Sequence, residues 1–120
     1  MRDYYFISDS GNLHDTRRSD YPLRSDYMRH HRTIGNAREL CATLRAGEFC
    51  FPGGYRLAFI TDDGECLSFK AVRENMFSVV HSMHHEINDG WRIVGCEIVD
   101  HCETPIYCAH TGELLNGDKP

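Results

Sequence analysis

The chain has 120 residues, 41% of them hydrophobic and 11% aromatic, and a formal net charge of −5. That length fits one domain that buries roughly two-thirds of its unfolded surface, and the composition excludes a disordered chain. No apolar run approaches the ~20 residues of a membrane span, and MRDYYFISDSGNLHD lacks the apolar segment of a secretory leader, so the six cysteines are expected as reduced, mostly buried thiols.

The charge is unevenly spread. Residues 1–45 hold eight arginines against six acids, and residues 46–120 hold five Lys/Arg against twelve acids. A mildly basic first third therefore precedes an acidic body. Such a body argues against a general nucleic-acid binder and suits a binder of basic surfaces, including proteins that themselves bind DNA or RNA.

Tyr4 to Ser8 reads as a short aromatic strand, Asp9-Ser10-Gly11-Asn12 as a turn, and Leu13 to Arg17 as the returning strand. A two-stranded hairpin is marginal alone, so this one is expected to pack on the main sheet or on a partner. Residues 17–32, RRSDYPLRSDYMRHHR, are polar and Arg-rich, and repeat the run RSDY. Two copies six residues apart make no solenoid. The segment reads as a solvated connection, or as an arm whose Arg17, Arg18, Arg24, Arg29 and Arg32 contact phosphates while Tyr21 and Tyr27 stack on bases.

Asn36 with Glu39 three residues on has the form of a capping box. Ala37, Leu40, Cys41 and Leu44 share a helical face, and Gly47 suits a C-terminal cap, which predicts a helix over 36–46. Pro52-Gly53-Gly54 is a turn. It leads into a strand, not a helix, so the glycine pair is no phosphate cradle. Tyr55 to Thr61 alternates, with Tyr55, Leu57 and Phe59 on one face. Asp62-Asp63-Gly64 is a hairpin turn, and Cys66 to Phe69 is the return strand.

Phe69, Val72, Met76, Val79, Val80, Met83 and Ile87 fall on one arc at 100° per residue. With Ser68 as N-cap and Gly90 as the stop, they predict one long amphipathic helix over 69–88 packed on the sheet. Trp91 to Val99 follows as a strand, with Gly95 a bulge or close-packing point. Thr104 to Cys108 is expected as another short strand, and GELLNGDKP as a frayed or loosely docked tail. The fold class is α+β: a mainly antiparallel sheet with this long helix on one face and a short second helix at its edge. Residues 1–32 form the hairpin and arm, and residues 33–120 the compact core.

For chemistry, His101, Cys102, Cys108 and His110 are the candidate zinc ligands, although Cys102 and Cys108 miss the usual ligand spacing. His81 and His85 stand at i,i+4 and can share an ion. The metalloprotease pattern H-E-x-x-H is absent, and both lie opposite the apolar arc, in solvent, where the plain reading is incidental metal or none. Phe77, His81 and His84 form a stripe able to meet a partner. No nucleophile elbow, P-loop or dinucleotide fingerprint occurs, so no catalytic residue is assigned and an enzyme is not expected.

The runs Leu44-Arg45-Ala46-Gly47, Pro52-Gly53-Gly54-Tyr55, Phe59-Ile60-Thr61-Asp62-Asp63-Gly64, Leu67-Ser68-Phe69, Val72-Arg73-Glu74-Asn75, Asn88 to Cys96 and Tyr107-Cys108-Ala109-His110-Thr111-Gly112 together resemble a family of short proteins from phages, plasmids and other mobile elements. The resemblance covers about 70 of the 120 residues. It implies an accessory product of mobile DNA, expressed in a bacterial cytoplasm, and brings no catalytic residues. Similar chains carry C-x-x-C-G after the last strand, a knuckle-like loop. Thr111 stands here where the second cysteine would.

These readings converge on one expectation. The chain binds and inhibits a host or defence protein, of anti-CRISPR or anti-restriction type, through an acidic surface comprising Asp62, Asp63, Glu65, Glu86 and Asp89, flanked by Phe77, His81 and His84. The alternatives are a nucleic-acid module using the Arg-rich arm and a small zinc-binding module. No cofactor other than zinc is expected.

Overall fold

A computed structural model describes residues 4–17, 21–50 and 53–116. The elements are β1 (Tyr5–Ile7), β2 (Leu13–Asp15), α1 (Ala37–Ala46), β3 (Leu57–Thr61), β4 (Cys66–Leu67), α2 (Phe69–Glu74), α3 (Met76–His85) and β5 (Ile93–Ile98). The class is α+β with two antiparallel sheets, β1-β2 and β4-β3-β5.

β3 is the central strand of the larger sheet. It pairs Phe59 with Leu67 on one side and with Cys96 on the other. Leu57, Ala58 and Phe59 are all buried, so both faces of β3 are covered and the alternation expected of a half-solvated strand is lost. Phe59 stacks on Phe69 with ring centres 4.3 Å apart. That contact anchors the core, which Leu40, Leu67, Val72, Val79, Ile93 and Leu115 complete. The pairing of β3 with β5 shifts between Ile60 and Thr61, where Ile60 opposes Gly95 and Thr61 opposes Ile93. Val94 is the extra residue, and this bulge turns the sheet end where the acidic loops gather.

The first helix forms as its sequence predicts. Asn36 Oδ1 accepts from Glu39 N at 2.9 Å, Glu39 Oε1 accepts from Gly35 N at 2.8 Å, and Gly47 closes the helix at φ 98°. The long helix expected over 69–88 does not. It is two helices broken at Asn75, whose N–H bonds Val72 O at 3.1 Å and whose side-chain amide donates to Ala71 O at 2.8 Å. The side chain competes for a carbonyl that a continuous helix would use, as Asn does at helix ends. Ser68 caps α2 as expected, accepting from Ala71 N at 3.0 Å. The stop is Glu86, left-handed at φ 54°, not Gly90, and Ile87 lies beyond the helix, 37% exposed.

Three further expectations change. The hairpin β1-β2 joins neither the main sheet nor its edge. It docks on the strap of residues 24–28, through the Leu13–Arg24 bridge, Met28 N to Gly11 O at 2.8 Å and Asp26 N to Asn12 Oδ1 at 2.9 Å. Residues 104–108 make isolated bridges, Cys66 with Cys108 and Tyr107 with Leu114, in place of a strand. The final segment is not loose as far as Asn116. Leu115 is buried, and Asn116 accepts from Ile106 N at 2.7 Å and donates to the carbonyls of Cys102 and Thr104.

Candidate functional site

The β3–β4 turn and the loop from α3 to β5 lie at the same end of the sheet, because Thr61 pairs with Ile93. Asp62 N donates to Arg92 O at 3.0 Å and ties the two together. The turn is closed by Thr61 N to Glu65 O at 2.9 Å and Gly64 N to Thr61 O at 3.0 Å, and the Thr61 hydroxyl donates to Asp63. In the loop, the carboxylate of Asp89 accepts from Ser82 Oγ at 2.7 and 2.8 Å and from Trp91 N at 3.1 Å. Arg92 reaches Glu86 at 3.4 Å. The five acids expected from sequence thus belong to two linked loops.

Their roles differ. The Thr61 hydroxyl holds the Asp63 carboxyl below its ordinary pKa, and the Ser82 hydroxyl does the same for Asp89, aided by Trp91 N–H and by nearby His81. These two acids hold their own loops. Asp62 is half-buried, and its Oδ1 has no hydrogen-bond partner among the described residues. Glu65 and Glu86 are exposed; Glu65 offers its charge outward, and Glu86 shares its charge with Arg92. Arg92 sits among the acids, a cation that the charge pattern of the turn and helix gave no reason to place there.

The outer face of α3 leads into this end of the sheet. Phe77 is 84% exposed, and its ring stacks on His81 at 5.9 Å with 10° between planes. His81 then meets His85 at 4.5 Å, and His85 meets His84 at 4.9 Å. His85 therefore belongs to the stripe that sequence reading confined to Phe77, His81 and His84. Its i,i+4 relation to His81 was the available signal. Beside the stripe, a cleft of about 450 Å³ lies between α1, α3 and β5, with Ile34, Val80 and Met83 in its walls and His84 and Arg92 at its polar side.

The other candidate residues are placed apart from this face or occupied. The His101 ring packs edge-on against Tyr55 at 4.5 Å, and His110 against Trp91 at 5.0 Å. Cys102 is exposed and Cys108 buried. Burial pushes the Cys108 thiol up, but hydrogen bonds from the Thr111 hydroxyl and from the backbone N–H groups of Ser68, Thr111 and His110 outweigh it and lower its pKa. Thr111, where a knuckle would have its second cysteine, serves here as a donor to the first. Among the described residues no three His, Cys, Asp or Glu side chains are placed to hold one metal ion, so the four candidate ligands His101, Cys102, Cys108 and His110 do not converge.

In the arm, Arg17 pairs with Asp15 at 2.9 Å, Arg29 with Asp26 at 3.1 Å and Arg32 with Glu97 at 3.0 Å. Arg24 lies over Tyr27 at 5.7 Å, while Arg45 covers the same ring at 3.9 Å. Tyr27 is therefore occupied as a stacking platform, and Tyr21 is 79% exposed. Arg18 lies outside the described residues.

Compared with known protein families, curated proteins and solved structures, the chain matches none. No helix among the described residues is long and apolar enough to cross a membrane.

Proposed function

We propose that this chain is a small, non-enzymatic protein of a phage or other mobile element that binds a host or defence protein and inhibits it, in the manner of an anti-CRISPR or anti-restriction protein. The observation that carries this reading is the continuity of the α3 face with the two acidic loops. Exposed Phe77 is an aromatic of the kind enriched at protein interfaces, Glu86 directly follows His85 at the far end of this face with its charge shared with Arg92, and Glu65 adds exposed negative charge in the linked turn. A partner with a basic nucleic-acid groove would be steered by those acids and held by the aromatic stripe. The arm is the weaker candidate, since Arg17, Arg29 and Arg32 already have carboxylate partners within the chain.

The test is a panel of purified CRISPR and restriction nucleases assayed for DNA cleavage in the presence of the protein. One member should be inhibited, less so as salt rises. The double variant Glu65→Lys/Glu86→Lys alters only exposed side chains and should weaken that inhibition about tenfold or more. Inhibition that is independent of salt and unchanged in the variant contradicts the acidic mechanism.

A further inference from the structure

We infer that His81 and His85 form a two-histidine binding site for a divalent late transition-metal ion on the outer face of α3. One turn of helix separates the two residues, so their side chains rise from the same face. Their ring centres are 4.5 Å apart and the planes are inclined by 50°. With metal–nitrogen bonds of about 2.0–2.1 Å and a ring centre about 1.1 Å behind its nitrogen, two imidazoles at 90–110° around one ion have centres about 4.4–5.2 Å apart. The observed separation falls in that interval; the 4.9 Å between His84 and His85 does too, but residues adjacent in a helix point about 100° apart and do not face one ion. Both side chains are exposed, which leaves room for water to complete the coordination sphere.

The surroundings favour a cation. Asp89, held by Ser82 Oγ and Trp91 N in the loop that follows α3, brings a carboxylate to this end of the helix. It contributes charge and is not one of the ligands, because its oxygens are already engaged by Ser82 Oγ and Trp91 N. Imidazole nitrogen selects Zn²⁺, Ni²⁺ and Cu²⁺ over Mg²⁺ or Ca²⁺. Both residues lie within α3, so one helical turn sets the backbone spacing between them. The site is independent of which partner the α3 face meets.

The experiment titrates Ni²⁺ alone into the reduced full chain, following paramagnetic broadening of assigned NMR signals together with calorimetry. One ion per chain is expected, with broadening centred on the rings of His81 and His85. His81→Ala and His85→Ala should each weaken binding at least tenfold, and His84→Ala less than twofold. Mg²⁺ should leave the spectrum unchanged. Each variant changes an exposed residue, and an unchanged melting temperature without metal shows that it is folded. Broadening centred on Cys102 or the hairpin, equal affinity in all three variants, or no binding at millimolar Ni²⁺ overturns the assignment.

Discussion

The carbonyl oxygen of Arg32 lies 2.9 Å from the point where Gly95 would carry a Cβ. The strap before α1 is stitched onto β5 there, by Cys96 N to Arg32 O at 3.0 Å and Ile34 N to Val94 O at 3.0 Å. Only glycine lets the two backbones approach so closely. Gly95→Ala should therefore destabilise the fold by about 1–3 kcal/mol, since a backbone oxygen must move to admit the methyl group. Chemical denaturation measures this, and an unchanged midpoint would contradict the contact.

Phe69 stacks on Phe59 at the junction of α2 with the sheet, and both rings are about fully buried. Phe69→Ala should cost about 3–5 kcal/mol, against little change for Phe77→Ala on the exposed side of α3. Comparable losses from the two would mean that α2 does not supply the core.

Asp89 and Asp63 have folded-state pKa values held below the ordinary carboxylate value of 3.8. Their contribution to stability is present above that value and is lost as pH falls through the lower, folded-state values. Ser82→Ala removes the hydroxyl that holds Asp89. The Asp89 carboxyl should then titrate higher in an NMR pH series and the acid-induced loss of stability should shrink. A titration curve that Ser82→Ala leaves in place would remove Ser82 as the cause.

Burial pushes the Cys96 thiol up to about 12 from an ordinary 9.0. At pH 8 it stays protonated, so Cys96 should resist iodoacetamide while exposed Cys102 is modified. Because the unfolded chain ionises this thiol first, its contribution to stability declines as pH rises from about 9 towards 12. Peptide mass mapping after brief alkylation reads the first effect. Early labelling of Cys96 in the folded protein would place it outside the core.

Local signals carried much of the fold. Asn36, Glu39, Ser68 and Gly47 each satisfy or close the backbone of their own helix, so the caps were legible from a few residues, as was the Asp62-Asp63-Gly64 turn. The break at Asn75 was not, because the apolar arc runs through it unbroken from Val72 to Val79 and only the side chain's bond to Ala71 O interrupts the ladder. The docking of Leu115 and Asn116 was equally hidden. Their partners are 9 to 14 residues away in chain segments with no periodicity. For the candidate face, the acids and the histidine spacing could be read directly. Their gathering at one end of the sheet depends on the pairing of Thr61 with Ile93 and the bond from Asp62 to Arg92, which no single stretch of sequence contains.

Amide hydrogen exchange decides between the α3 face and the arm, comparing the free protein with its complex with whichever nuclease the proposed inhibition assay identifies. The account predicts new protection in residues 61–65 and along 77–91, the acidic loops and α3, with residues 4–32 unchanged. Protection confined to 4–32, or none at the acidic end of the sheet, would contradict it.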